Sequence, residues 1–347
     1  MLRVATVLLM VGFFMLSGFV LWESAQVLLL VFAGILFAVI LRTLAGVLSE
    51  WTRLSIRWAL SLVLVCSVVT AVMAVWFLIP KIASELRAVG ENMSVFLNHL
   101  TEGLARIPGG SELAAQALRI QDQMVNGVNF WQRFGGFFAN SLSVLGGALL
   151  VVLIGVFFAY DPRLYCTGVL RLVPLQNRPD ARRILMELER ILRRWLLVQA
   201  ISMMFLFSNT WIMLELLGVP LALLLALLTG AMTFVPYMGP IIAIIPILIV
   251  SFMDRPILAL YAGLLYLVIQ NIEENIMMPL FCQKTIHLPA VLTIVGQLVF
   301  GGVFGTLGFM LATPLMAVGL VLVQKIYVKR FLGDPMGKNM KDLVKIK

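Results

Sequence analysis

Long apolar runs decide what this chain can become. Residues 4–21 and 60–79 each come close to the ~20 residues that an α-helix needs to cross a bilayer. Comparable runs recur over 141–160, 195–217 and 261–281. Only 12% of the 347 residues are charged and 61% are hydrophobic, whereas a soluble globular chain carries roughly 25% charged residues. So little charge cannot clothe a water-facing surface around such runs. The expected fold is all-α and polytopic, with about six full spans.

The first run is not followed by a small-residue cleavage site. Leu21-Trp22-Glu23 leads directly into the next apolar stretch, so the run is expected to stay as a span. The three cysteines, Cys66, Cys166 and Cys282, are scattered and odd in number, which argues against a disulfide framework. His99 and His287 have no spacing to them that would make a zinc site, so no metal or other cofactor is expected. The net charge of +9 sits at the ends of apolar runs, which fits a membrane surface and not nucleic acid.

Lysine and arginine in short loops set orientation. The turn at 22–26 holds only Glu23, whereas 42–57 holds three arginines. The stretch 81–140 is balanced, with five basic and five acidic residues, and 161–194 carries eight arginines. One topology satisfies all of these. Arg3, 42–57, 161–194 and the Lys-rich tail are cytoplasmic, 81–140 is outside, and both termini are inside.

Two segments outside the spans differ in kind. Ile82, Leu86, Val89, Met93, Phe96, Leu100, Leu104 and Ile107 recur in steps of four and three, a narrow seam of coiled-coil type. Pro108-Gly109-Gly110 ends it, and a helical pattern resumes over 113–131. The segment is expected to be a local helical hairpin or an arm that joins copies into a homo-oligomer. In 179–194, Ile184, Leu188, Ile191 and Trp195 share a face opposite arginines, which suits a helix lying on the anionic cytoplasmic leaflet.

After 217 the spans become interrupted. Residues 221–234 and 241–252 flank Pro236-Tyr237-Met238-Gly239-Pro240. Fourteen helical residues reach about 21 Å, short of the ~30 Å hydrocarbon core. Two prolines around a glycine should break the helix, and such a break survives at membrane depth only beside protein or trapped water. A re-entrant hairpin is expected, with 236–240 at its tip. A second unit comes after it: 290–300, a break at Gly301-Gly302-Val303-Phe304-Gly305, then 306–323. A shift of 69 residues superposes Pro220 on Pro289 and Gly239 on Gly308. The first span would leave the cytoplasm and its hairpin enter from outside, whereas the second span would return and its hairpin enter from inside. That inverted repeat is a recurring plan of secondary transporters.

Gln270-Asn271-Ile272-Glu273-Glu274-Asn275 interrupts an otherwise apolar span. An acidic side chain at a bilayer centre costs roughly 2.5–3.5 kcal/mol on insertion scales, so the site needs a cavity, a partner or a proton. Helical spacing puts Gln270, Glu273 and Glu274 on one face, with Asn271 and Asn275 on an adjacent row. An inner-interface position, with Lys284 pairing to a glutamate, is the alternative reading.

With these residues in view the chain resembles the autoinducer-2 exporter (AI-2E) family of bacterial inner-membrane transporters. The resemblance rests on Leu217-Gly218-Val219-Pro220, on 234–240, on 270–275 with Pro279, on His287-Leu288-Pro289, and on Gly301-Gly302, Gly305, Gly308 and Pro314. Glu274 departs from the pattern, standing where family members often carry a small residue. The resemblance implies an export permease, with members linked to autoinducer-2 or to monovalent cation–proton exchange.

The function expected is gradient-driven export of a small polar solute. Pro236, Tyr237, Gly239 and Pro240 at one tip, and Gly301, Gly302 and Gly305 at the other, would offer backbone groups to the solute or ion. Glu273 and Glu274 would couple transport, and Gln270, Asn271 and Asn275 would orient the ligand or carboxylate. A passive oligomeric channel and a cation–proton antiporter are the alternatives. No G-x-x-x-x-G-K-[ST], H-E-x-x-H or G-x-S-x-G pattern occurs, which disfavours ATP drive and enzymatic chemistry. The chain divides by composition into spans to 80, the outer segment 81–140, a span with a basic helix over 141–194, the transport core 195–330 and a basic tail 331–347.

Overall fold

The computed structural model describes residues 24–105, 141–282 and 289–331. The run at 4–21, the turn at 108–110, the pattern over 113–131, Lys284, His287, Leu288 and the tail beyond 331 lie outside the described residues. Every regular element among the described residues is helical. They group into two compact units. One contains α1 up to Leu44, most of α3, α4, the start of α5 and α10, and the other contains α2, the rest of α5 and α6–α9.

Three helices open the chain: α1 (Ala25–Thr52), α2 (Ile56–Ala105) and α3 (Ser141–Tyr160). α1 and α3 cross at small residues, where a Cβ on Gly155 would press on the Gly34 carbonyl and one on Gly34 on Ile154. Close backbone approach through glycine is how helices associate in lipid, where apolar burial offers no drive. α2 continues through Pro80 for 50 residues, about 75 Å of helix. The apolar span and the start of the 82–107 seam are therefore one rod, although Pro80 leaves the Trp76 carbonyl without its helical donor.

Asp161 ends the third span. Its side chain accepts from the Leu164 amide, Pro162 opens α4 (Pro162–Arg171), and the axis turns by 87° between the pieces Gly146–Tyr160 and Pro162–Arg171. Asp at the cap and proline in the first turn are the expected residues for such a start. A short 3-10 turn, Leu175–Asn177, leads into α5 (Arg178–Leu216). α5 is unbroken over 39 residues, about 58 Å. This corrects one expectation: 179–194 is the polar extension of a spanning helix. A separate helix lying on the leaflet would need a sharp bend near Arg194, and no glycine or proline stands there to make one.

α5 ends in a Schellman motif. Gly218 has φ 70°, the Val219 amide bonds the Leu214 carbonyl at 2.9 Å, and the Gly218 amide bonds Glu215 at 3.0 Å. Pro220 then forbids continuation, and α6 (Ala222–Met232) and α7 (Met238–Asp254) form the first hairpin. Their 11 and 17 residues make about 16 and 25 Å of helix, each short of the ~30 Å core. Leu214, Leu221, Leu225, Ile247, Ala262 and Tyr266 form the core that seats this hairpin against α5 and α8 (Pro256–Ile272). A π-helical turn, Glu273–Met277, and the short α9 (Met278–Cys282) complete that unit.

α10 (Ala290–Leu322) contains a non-helical residue, Gly305, at φ 68° and ψ −153°. A straight helix would part Gly296 from Met316 by about 30 Å. Instead a Cβ on Gly296 would strike the Met316 sulfur, one on Gly301 would lie 3.1 Å from the Phe309 ring, and one on Gly308 would collide with the Phe300 carbonyl. The chain therefore doubles back at Gly305. Arms 290–304 and 306–322 are a second helical hairpin. The long apolar stretch Ala290–Val328 is thus two short arms and not one span. The remaining long apolar helices, α1, α2, α5 and α8 with its π turn, are sufficient to cross a membrane, and α3 with its bend makes a further crossing.

Candidate functional site

Glu273 is the buried acid of the second unit, with 4% of its surface exposed. The Ser202 hydroxyl of α5 donates to its Oε1, and Ser202 is fully buried. Gln270, one turn earlier on α8, donates from Nε2 to Oε2 of Glu273 and to Oε1 of Glu274, each at 3.3 Å. Among the described residues, the polar and charged side chains that bear on the Glu273 carboxylate are Ser202, Gln270 and Glu274, and no cation is among them. Neutral donors satisfy a buried acid's hydrogen bonds without supplying the counter-charge that offsets desolvation.

Local backbone aims this carboxylate. In the turn Glu273–Met277 the Met278 amide bonds the Glu273 carbonyl, five residues back. The extra residue of a π turn rotates the helix beyond it, and such turns recur at functional sites. Asn271 donates to the Leu267 carbonyl at 2.8 Å and Asn275 to the Asn271 carbonyl at 3.1 Å. These side-chain bonds engage carbonyls of the same turns and offer the backbone an alternative to the α-helical ladder.

The first hairpin's tip is held by the same two helices. Gln199, three residues before Ser202, donates from Nε2 to the Thr233 carbonyl at 2.5 Å. The Tyr266 hydroxyl donates to the Pro240 carbonyl at 3.1 Å. Trp195 packs edge-on against Phe234, with ring centroids 5.7 Å apart. The tip thus stands level with the first turns of the apolar part of α5. Ser202 is about 12 Å along the helix from Arg194. Within the tip, Tyr237 has φ 66° and ψ −54°, and the Met238 amide bonds the Pro236 carbonyl at 2.8 Å. This is a γ-turn of the rare positive-φ kind, strained for any residue with a Cβ. A Cβ on Gly239 would collide with the Met232 carbonyl, so the arms close only with glycine there.

The twelve residues expected from sequence separate into groups. Gln270, Glu273 and Glu274 share one hydrogen-bonded cluster, and Pro240 accepts from Tyr266, one turn before Gln270 on α8. Pro236, Tyr237 and Gly239 build the tip itself. Asn271 and Asn275 are exposed, and Asn275 Nδ2 bonds Asn271 Oδ1 at 3.4 Å. Gly305 makes the turn of the other hairpin, in the other compact unit, and Gly301 and Gly302 lie on its incoming arm. The sequence reading missed Ser202, Gln199 and Thr233. Its available signal was a stripe: Gln199, Ser202 and Thr210 recur at helical spacing with Leu206 and Met213 inside an apolar span, and all five are buried. Among the described residues, the Thr210 hydroxyl and the Gln270 side-chain Oε1 are buried without a hydrogen-bond partner. Among the described residues no group of three His, Cys, Asp or Glu side chains is arranged to hold a metal.

Comparison with known proteins decides the class. The sequence profile described as AI-2E family transporter matches residues 5–327. The chain belongs to that family. It is 30% identical over 151 residues to "Putative transport protein YueF" of Bacillus subtilis (strain 168), a match covering 43% of this chain and 40% of that protein. It is 23% identical over 302 residues to "Putative permease PerM" of Escherichia coli (strain K12), covering 82% of this chain and 85% of that one. The match to "Putative transport protein YhhT" of Escherichia coli (strain K12) is 28% identical over 109 residues, 31% of each. The matched region is thus less than half of YueF and most of PerM. This member of the AI-2E transporter family has the long apolar helices of a multi-pass membrane protein.

Proposed function

We propose that the chain is a secondary active transporter of the bacterial inner membrane, with both termini cytoplasmic. It exports a small polar solute, of the autoinducer-2 kind or a related metabolite, coupled to a proton or cation gradient. Glu273 is the coupling group. The observation that carries this reading is a buried carboxylate that ties α5 to the π turn after α8 and whose donors among the described residues, Ser202 and Gln270, are neutral. Intramembrane acids of this sort mark ion and proton relays.

The geometry suggests how coupling would work. Ser202 donates its proton to the Glu273 carboxylate, so arrival of a proton or cation on Glu273 competes with that bond. Gln199 and Tyr266 lie on the two helices that the Ser202–Glu273 bond joins, and both hold the hairpin tip. Loosening one bond therefore bears on the other two. The two broken hairpins, of matching build, support a span-plus-hairpin repeat of the kind secondary transporters use, with helix termini at each turn offered to a solute. The continuous α2 rod would associate subunits beyond the membrane.

The test is flux in proteoliposomes with an imposed pH gradient. Autoinducer-2 and salts of lithium, sodium and potassium are offered in turn, with internal pH read by a fluorescent dye. Wild type should couple one of these to proton movement, and Glu273→Gln should lose the coupling while folding normally. Coupled flux unchanged in Glu273→Gln would remove the assignment. Wild-type flux indifferent to the gradient would mark a passive pore.

A further inference from the structure

The elbow between α3 and α4 is an interaction surface that the transport reading does not use. α3 is apolar along its 20 residues, about 30 Å of helix, which matches the hydrocarbon core. Spanning helices tilt by about 20° on average, so a helix at 87° to one lies close to the membrane plane, at the level where the span emerges. Tyr165 stacks on Phe158 with ring centroids 4.1 Å apart, which fixes the bend from inside.

α4 buries none of its residues. Leu164, Val169, Leu172 and Leu175 are exposed, the last two at 87% and 73%. On a helical wheel Leu164, Tyr165, Val169 and Leu172 occupy one arc, and Arg163, Thr167 and Arg171 another, at spacings of four. Arg178 closes the segment by donating to the Val173 carbonyl at 3.2 Å and the Arg171 carbonyl at 3.4 Å. Arg182 and Arg183 stand on the opening turns of α5. Exposed leucines beside arginines, on an in-plane helix at the mouth of a span, match a leaflet of anionic headgroups in both depth and charge.

We propose that α4 and residues 172–175 are an interfacial anchor that docks on anionic lipid, with the leucines inserted among the acyl chains and Arg163 and Arg171 on headgroup phosphates. In-plane anchoring thus belongs to α4 and not to 179–194. The proposal rests on α3 being a span and is independent of what the protein transports.

The experiment uses the full chain with Cys66, Cys166 and Cys282 replaced by serine. Single cysteines at 167, 169 or 172 carry a fluorophore, and the protein is reconstituted in phosphatidylcholine with or without phosphatidylglycerol. Labels at 169 and 172 should be quenched by lipid-borne nitroxide and sheltered from aqueous iodide when phosphatidylglycerol is present, and the label at 167 should behave in the opposite way. Each of Arg163→Gln and Arg171→Gln should lower the docked-to-undocked ratio about fivefold, the equivalent of ~1 kcal/mol per basic residue at such a surface. Iodide quenching at all three sites in both lipids would overturn the proposal. So would labels sheltered from iodide yet untouched by lipid nitroxide, which would mean a second copy covers the face. Docking indifferent to phosphatidylglycerol and to both arginines would refute recognition of anionic lipid.

Discussion

The two hairpins solve one geometric problem with different residues. In the second, the reversal falls on Gly305, at a φ and ψ that only glycine adopts without penalty, and no neighbour lies where a Cβ would stand. In the first, the reversal falls on Tyr237, whose positive φ is strained. Each hairpin then seats a glycine against a carbonyl of its incoming arm, Gly239 on Met232 and Gly308 on Phe300. The glycine turn carries no local strain. The tyrosine turn persists because Gln199 and Tyr266 hold its flanks. A turn held from outside is released when those outside contacts break.

The largest effect expected in this comparison comes from the shared feature. Gly239→Val and Gly308→Val should each cost about 3 kcal/mol or more, because the added atoms meet backbone that cannot rotate aside. Loss of monodisperse protein in detergent checks this. One variant folding normally would show that the hairpins are not built alike. The turns themselves should differ in sign. Gly305→Ala should destabilise by about 1–3 kcal/mol, whereas Tyr237→Gly should leave thermal stability equal or higher by relieving a turn of that same cost. Tyr237→Gly that unfolds the protein would mean that the ring, and not the backbone, holds the tip.

A smaller effect is expected at the supports. Gln199→Ala leaves the buried Thr233 carbonyl without its donor, and Tyr266→Phe removes a hydroxyl from Pro240. Each should cost about 1–2 kcal/mol. Because both act on one turn, their effects should not add, and a double-mutant cycle should return a coupling of at least about 0.5 kcal/mol. Additive losses would show two independent contacts and no shared latch.

Much of this arrangement was legible in the sequence because the relevant residues act locally. Proline and glycine mark the hairpin breaks at 236–240 and 301–305, and Gln270, Glu273 and Glu274 declare themselves as polar residues in an apolar run. Ser202 was not legible. It lies 71 residues from Glu273, and a lone serine in a span reads as filler until packing brings it to the acid. The π turn was hidden too, since the pattern 270–275 reads identically in α-helical register. For 179–194 the sequence offered amphipathicity but no breaker, while the decisive signal, Asp161-Pro162, stood eighteen residues earlier.

Asn271 and Asn275 give the smallest and most discriminating prediction. They sit beside Glu273 in sequence, on the row that the helical wheel placed next to the acid, yet they are exposed and bond chiefly to their own turns. Asn275→Ala removes bonds to Asn271 at a surface position, so stability should move by no more than about 0.5 kcal/mol. Coupled flux should persist, in contrast to Glu273→Gln. If Asn275→Ala abolishes coupling while stability holds, the exposed row takes part in the ion path. The site would then extend around α8 to a face that this chain leaves open.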